Sequence, residues 1–254
     1  MIDNTLQAKK RMLGLNLRQK TIITLAVSAV FLIVIAVWGS LIGEDSYGVD
    51  FAVRNSAPST AHIFGTDWMG RDMLARTVKG LSTSLIIGVC ASLSSCVVAV
   101  IIGCACAIFG KKTDRFFLWL IDLFNGMPHL ILLVLISILV GKGAMGILIG
   151  VALTHWTTLS RIIRAEILSI KSEPYISIAR SLGTSKFRIA SRHILIHIIP
   201  QFVVGVVLLF PHAILHEAGV TFLGFGLPPE EPAIGVILRS EEHTSELQSH
   251  ELIS

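Results

Sequence analysis

Apolar residues form five long runs along the chain, and polar segments separate each run from the next. A helix needs about 20 residues to cross a bilayer, and each run is close to or above that length. The runs are 21–42, 81–109, 116–140, 145–163 and 197–223. The pattern predicts an all-α, polytopic integral membrane protein with five spans. Gly126 and Pro128 interrupt the third run, so a kink is expected there.

The composition supports the membrane class. Hydrophobic residues make up 53% of the chain, charged residues 15%, and the mean hydropathy is +0.74. A soluble domain has about a quarter of its residues charged. The first apolar run is too long for the apolar part of a cleavable signal peptide, and we interpret it as a retained span.

Basic residues are concentrated in alternate connections, and this predicts the orientation. Residues 1–20 have five bases and one acid, residues 43–80 have four bases and five acids, and residues 161–192 have seven bases and two acids. Lys and Arg favour the cytoplasmic side of a membrane. We therefore expect a cytoplasmic amino-terminal segment, an extracytoplasmic loop at 43–80, and a cytoplasmic loop at about 164–196.

The cytoplasmic loop has the pattern of a helical hairpin. Pro174 suits a first helical turn and Gly183 suits the residue past a helix end. Between them, apolar residues recur at helical spacing and predict one apolar stripe. The stripe consists of Tyr175, Ile178, Ala179 and Leu182. From periodicity alone, this surface could lie on anionic lipid or in the groove of another protein.

The segment ARSLGTSKFRIASRHIL, from Ala179, resembles the cytoplasmic signature of permease subunits in binding-protein-dependent ABC importers. In that family the loop forms a coupling helix that docks into a groove of the ATPase subunit. Ser177 and Ile178 depart from the Glu and Ala that the family favours, and Ile196 replaces a Pro. The resemblance implies ATPase-coupling roles for Tyr175, Ile178, Ala179, Arg180, Leu182, Gly183 and Lys186.

Two further stretches are similar to the dipeptide, oligopeptide and nickel class of these permeases. HIFGTDWMGRDMLARTVKGLSTSL is similar to the segment before the second span, and LLFPHAILHEAGVTFLGFGLPP to a later helix and outer loop. The extracytoplasmic motif comprises Gly65, Thr66, Asp67, Gly70, Arg71 and Asp72. We identify the chain as resembling the second, C-type permease, with a permease transmembrane domain at 81–238 in a bacterial inner membrane.

The resemblance also implies the partners. These are a homologous second permease subunit, two ATP-binding cassette ATPases, an extracytoplasmic solute-binding protein and membrane lipid, with no nucleic acid. Gly65-x4-Gly70 is followed by Arg71 where a phosphate-binding loop needs Lys, so this chain is expected to bind no cofactor while its partners use ATP. The expected role is non-catalytic, and the rival interpretation is a stand-alone channel or scaffold with a lipid-binding loop.

Histidines in the last span suggest a substrate path. His212 and His216 are four residues apart, on one helix face, and Glu217 is adjacent. Two imidazoles could hold a divalent ion such as nickel or zinc, so a metal or metal chelate competes with a di- or oligopeptide as the cargo. Alternatively, these histidines hydrogen-bond across helices. Val220 excludes an HExxH metalloprotease site.

The carboxyl end, from Arg239, differs from the rest of the chain. Residues 239–254 are polar and charged, and residues 239–249 match a translated sequencing adapter. We interpret 239–254 as an artefactual tail on a chain that lacks the sixth span of the permeases that it resembles. A native soluble tail is the alternative.

Overall fold

The computed structural model describes residues 16–189, 192 and 194–251, and this part of the chain is built from nine α-helices and two short 3-10 helices. The 3-10 helices are Glu44–Tyr47 and Phe51–Val53. The α-helices are α1 (Leu17–Leu41), α2 (Met73–Ile108), α3 (Lys111–Asn125), α4 (His129–Val140), α5 (Ala144–Ser172), α6 (Pro174–Ser181), α7 (Lys186–Ile189), α8 (Leu195–Phe222) and α9 (Ile234–Glu251). The predicted all-α polytopic class is confirmed.

Among the described residues, four helices are long and apolar enough to cross a membrane, and the bent pair α3–α4 is a fifth if it forms one span. The four are α1, α2, α5 and α8. The third predicted span is different, because α3 and α4 meet at an angle of 99° across residues 126–128. The kink expected at Gly126 and Pro128 is a complete break between two helices. Pro128 has no N–H to donate and its ring clashes with the preceding turn, so the helix ends before it and a new one begins at His129.

The core lies where α2, α5 and α8 pack together. Small residues bring the backbones close: a Cβ on Gly88 would lie 2.6 Å from Ile214, and one on Gly205 would lie 2.6 Å from Leu159. A Cβ on Gly103 of α2 would lie 2.8 Å from the Ser160 carbonyl oxygen of α5. Such residues allow dispersion contacts to hold helices together where lipid provides no hydrophobic driving force.

The bundle has two ends. The loop end carries residues 43–72 and the turn at 141–143, where the Gly143 amide donates to the Gly226 carbonyl at 3.0 Å. The basic end carries residues 109–115 and 173–189, where the Lys171 ammonium donates to the Ala107 carbonyl at 2.7 Å. Consecutive long helices therefore alternate in direction between these ends.

Ion pairs connect the amphipathic helix α3 to α5 near the basic end. The Arg164 guanidinium forms two hydrogen bonds with the Asp114 carboxylate, and Arg161 pairs with Asp122. These contacts hold α3 beside the bundle while the sharp bend turns α4 back along α5.

Helix α2 begins earlier than predicted, at Met73 instead of residue 81, so the predicted loop at 43–80 is shorter in the structure. The Asp72 side chain caps it by accepting from the Ala75 amide at 2.8 Å. The polar first turns of α2 are not lipid-facing, since Arg76 is 1% exposed and paired with an acid. Hydropathy alone places a helix start too late when its first turns bury charged side chains in protein.

Candidate functional site: the basic hairpin, the loop-end network and a histidine cluster

The basic hairpin consists of α6, the turn that follows it, and α7. Gly183 has a φ of +79° just past the end of α6, the left-handed conformation that glycine adopts without strain. The Thr184 amide closes the helix by donating to the Ala179 carbonyl at 3.0 Å. The predicted helix between Pro174 and Gly183 is thus present.

Buried isoleucines hold the hairpin against the ends of the bundle helices. Ile176 is 1% exposed, and it lies in one core cluster with Ile167 and Ile170 of α5. Ile189 of α7 and Ile194 belong to the same cluster. Ile176 was not predicted as an anchor from the sequence, although it is an apolar residue of α6 that lies off the predicted stripe.

The predicted stripe lies on the outside of the hairpin. Tyr175 is 43% exposed, Ile178 59% and Leu182 80%, while Ala179 is half-buried between them. The side chains of Arg180 and Lys186 lie outside the described part of the chain. The structure therefore places three large apolar residues on a surface whose position is set by the core beneath it.

At the loop end, a buried carboxylate organises residues 65–76. The Asp67 carboxylate accepts from the Met69 and Arg71 amides at 2.9 Å and from the Arg71 guanidinium at 2.8 Å. Arg76 adds a second guanidinium at 2.6 Å, and its side chain is only 2% exposed. Of the predicted motif residues, Asp67 and Arg71 are brought together, while Asp72 lies in a neighbouring contact.

Asp72 pairs with His62 instead. Its carboxylate lies 2.8 Å from the His62 Nδ1 and also caps α2. Burial alone would raise the pKa of the Asp72 carboxyl, but the hydrogen bonds from the Ala75 amide and the His62 ring bring it below its ordinary value. The Thr66 hydroxyl donates to the Val53 carbonyl, and Gly65 has a φ of +70°.

Gly70 is the most constrained position of this loop. Its φ is +76°, and a Cβ built on it would lie 1.7 Å from the Asp50 carbonyl oxygen. The Asp50 amide donates to the Met69 carbonyl at 3.2 Å, which keeps the two segments together. The glycines of the motif therefore permit close backbone approach at this end.

The predicted substrate-path residues lie in three different environments in the structure. His216 of α8 meets two histidines that the prediction did not include, His129 of α4 and His155 of α5. His212 lies one turn away on α8. In the described hydrogen bonds it has no partner within this cluster, and its ring lines an adjoining cavity of about 340 Å³. Glu217 is fully buried and accepts from the Thr221 hydroxyl at 3.0 Å.

The convergence of His129 with His155 follows from the helix hairpin formed by α4 and α5. His129 lies eleven residues before the end of α4, and His155 lies eleven residues after the start of α5. Residues equally far from a short turn in antiparallel helices lie at the same height. That symmetry could have identified the pair once the break at Pro128 was recognised as the start of a separate helix.

The comparisons with known proteins agree with this architecture. Residues 99–240 match the family model for the binding-protein-dependent transport system inner membrane component. The chain belongs to this family. It is a multi-pass membrane protein, and the matched range includes the basic hairpin and all three clustered histidines.

The permease relatives are named for peptides. A protein of Brucella suis named as a candidate peptide permease is 34% identical over 79% of this chain and 66% of its own length. The dipeptide transport system permease protein DppC of Bacillus subtilis is 32% identical over 82% of this chain and 65% of its own length. The oligopeptide transport system permease protein OppC of Bacillus subtilis is 30% identical over 78% and 66%. The chain thus spans slightly less than two thirds of these relatives.

Proposed function

We propose that this chain is a non-catalytic permease subunit of an ATP-driven peptide importer, and that it forms half of the translocation pathway. Its partners are a homologous permease, two ATPase subunits and an extracytoplasmic solute-binding protein. Family membership and the names of the relatives support this class of cargo. The hairpin end and the amino terminus lie in the cytoplasm, in accordance with the distribution of basic residues.

The observation that carries the coupling proposal is the exposed stripe of Tyr175, Ile178 and Leu182 on a firmly anchored hairpin. An amphipathic helix that presents apolar side chains at this spacing fits a hydrophobic groove. Because Ile176 ties the hairpin to α5, motion of a docked partner is transmitted to the bundle. Arg180 and Lys186 supply polar contacts to the same partner.

Leu182→Asp tests the docking in the co-expressed complex. We expect loss of ATPase co-purification and of transport, while the variant folds normally because Leu182 is 80% exposed. Phe109→Asp is the matched control, since Phe109 is 75% exposed at the same end of the bundle but lies outside the hairpin. A Leu182→Asp variant that keeps its ATPases and loses only liposome binding would favour the lipid-scaffold alternative.

A metal chelate is the second candidate cargo. The convergence of His129, His155 and His216 favours it, because imidazole is a good ligand for late transition metals. Comparing uptake of radiolabelled dipeptide with uptake of a nickel chelate in cells that express the whole importer separates the two cargoes. Competition of one by the other would indicate that both follow one path.

A further inference from the structure

Three imidazoles from three different helices meet inside the bundle. Their ring centroids are 4.4 Å apart for His129 and His155, 4.8 Å for His129 and His216, and 4.9 Å for His155 and His216. One nitrogen from each ring can be chosen so that all three lie within 4.8 Å of one another. Each ring is half-buried, so the group is neither a surface cluster nor sealed from a ligand.

The closest pair already has the spacing of metal ligands. The Nε2 atoms of His129 and His155 are 3.3 Å apart. Two nitrogens about 2.0–2.1 Å from one tetrahedral ion lie about 3.3 Å from each other. The His216 nitrogen then needs to approach by no more than about 1.5 Å.

The hydrogen bonds of His155 direct a lone pair into the cluster. Its Nδ1 lies 3.2 Å from the Val151 carbonyl and 3.0 Å from the Thr154 hydroxyl oxygen. The Thr154 hydroxyl donates to the Gly150 carbonyl at 2.9 Å, so its oxygen can only accept from His155. The Nδ1 therefore carries the hydrogen, and Nε2 is the acceptor, which faces the His129 Nε2 at 3.3 Å. A metal-binding histidine commonly has its other ring nitrogen oriented in this way.

The cluster lies at a depth of about half a hydrocarbon core from the turn at 141–143. His129 and His155 are each eleven residues from the ends of α4 and α5 at the 141–143 turn. Eleven helical residues span about 16 Å, roughly half of a hydrocarbon core about 30 Å thick. Polar side chains at this depth are costly and commonly mark a transport path.

Room for a larger cargo lies beside the cluster. The adjoining cavity of about 340 Å³ reaches His129 and His155 and has a polar wall that includes Asn125, Thr157 and His212. The Thr157 hydroxyl donates to the Asn125 side-chain oxygen at 3.0 Å, which orients that wall. A ligand held by the three imidazoles would thus extend into a space lined by hydrogen-bonding groups.

We propose that His129, His155 and His216 form a binding site for a late first-row divalent transition metal ion that arrives bound to a small anionic chelator. Within the described residues, no carboxylate joins the cluster, so three neutral imidazoles leave the charge of the ion uncompensated. Glu217 follows His216 but is turned to Thr221. A carboxylate of the cargo supplies negative charge and the fourth ligand position of the tetrahedral ion.

This inference rests on the proposed function, because it names the cargo that the same pathway holds midway. Cobalt(II) is the probe, since a tetrahedral site gives it intense visible absorption. The purified complex is titrated with cobalt chloride, with and without free histidine as chelator. We expect one site per copy of this chain, displaced by zinc, with tighter binding when the chelator is present.

The variants His129→Gln, His155→Asn and His216→Gln are each expected to weaken cobalt binding at least 10-fold and to abolish the tetrahedral spectrum. His197→Gln is the matched control, because His197 also lies on α8 but at the basic end, near Glu166. The spectrum of the His197→Gln protein should equal that of the parent. These substitutions are mild, so each variant should fold like the parent. The thermal unfolding temperature of each variant is measured, so that a folding defect is not mistaken for loss of the metal site.

Equal cobalt binding by the parent and by the triple variant would overturn the proposal and leave the imidazoles as hydrogen-bonding contacts between helices. Dipeptide uptake is measured in parallel in the same cells. If uptake persists while the parent shows no tetrahedral spectrum, the metal site fails and the permease proposal stands. If the parent binds cobalt but supports uptake of neither dipeptide nor chelate, the permease proposal itself fails.

Discussion

The two ends of the bundle use their polar connections differently. At the loop end, the Asp67 carboxylate is surrounded by Arg71 and Arg76, and all three charges are satisfied within the protein. At the basic end, Ile178 and Leu182 expose most of their apolar surface on a short hairpin. One connection completes its interactions internally, while the other presents a surface that requires a partner or lipid to cover it.

This difference separates residues that maintain the fold from residues that act on something else. Ile176 and Ile178 are two positions apart on α6, yet the first is 1% exposed and the second 59%. The buried one joins the core cluster and the exposed one does not. Substitutions at the loop end should therefore change stability, and substitutions on the exposed stripe should change association.

The largest effect is expected from Asp67→Ala. It leaves the guanidiniums of Arg71 and Arg76 in a protein interior without their carboxylate, and breaking a buried pair in this way costs about 3–5 kcal/mol. The thermal unfolding of the purified chain in detergent is the measurement. Asp45→Ala, at an exposed position of the same end, is the control and should unfold like the parent. An equal loss of thermal stability in both variants would show that the Asp67–Arg71–Arg76 network has no specific stabilising role.

Ile176→Ala should have the next largest effect. Deleting a buried isoleucine side chain to alanine costs about 2–5 kcal/mol, because the transfer energy is lost and a cavity remains. Since the hairpin is small, we expect faster proteolysis between α6 and α7 as well as a lower unfolding temperature. Ile178→Ala is the matched control and should change stability by about 0.5 kcal/mol or less. A reversed order would mean that the faces of α6 are wrongly assigned.

The pH dependence tests the Asp72–His62 contact. The pKa of the Asp72 carboxyl is lowered in the folded protein, so its ionised form stabilises the fold above the unfolded pKa of about 3.9. That contribution is lost as the pH falls through the lower, folded-state value. Asp72→Asn keeps a helix cap but cannot ionise. The difference in unfolding free energy between the parent and Asp72→Asn should be largest at pH 6 and above, well over the unfolded pKa of about 3.9. It should shrink in acid. A difference that does not change with pH would contradict a stabilising role for the ionised Asp72 carboxylate.

Gly183→Ala should have the smallest effect on the fold. An alanine at a φ of +79° is strained by about 1 kcal/mol, and nothing lies within 4 Å of the added Cβ. Gly110→Ala is the control at the same end of the bundle, with equally open surroundings and a φ of +99° and ψ of −178° that only glycine adopts readily. Gly110→Ala should lower the unfolding temperature at least as much as Gly183→Ala, but only Gly183→Ala should weaken ATPase association, because only it distorts the exposed stripe. If both variants associate equally well with the ATPase, the turn at Gly183 does not shape the docking surface.

The hydropathy pattern was sufficient to predict the class of fold and the approximate spans. Helix α1 was expected at 21–42 and lies at Leu17–Leu41, because lipid-facing helices are recognised by apolar length alone. Helix α2 was predicted too short, because its first turns contain Arg76, which is buried by pairing and not by hydrophobicity. Pro128 correctly predicted an interruption, but the size of the bend depends on how α3 and α4 pack against α5.

The candidate sites were predictable only to the extent that they are local. The stripe on α6 follows from spacing within eight residues, so its members were found from the sequence. His216 was found, but its neighbours His129 and His155 come from other helices and were placed only by tertiary packing. His212 shares a helix face with His216, yet it contributes to the cavity wall and not to the cluster. Helical periodicity identifies residues that share one face of a helix. Which residues of different helices come together is set by how the helices pack in the bundle.

Site-specific photocrosslinking from position 182 in intact cells tests whether the hairpin docks on the ATPase subunit. With the crosslinking amino acid at 182, the account predicts a covalent adduct with the co-expressed ATPase subunit, identified by mass spectrometry. With the same amino acid at 109, no such adduct should form, although both positions are highly exposed at the basic end. Adducts from position 182 that contain only phospholipid, with the ATPase present, would contradict the account.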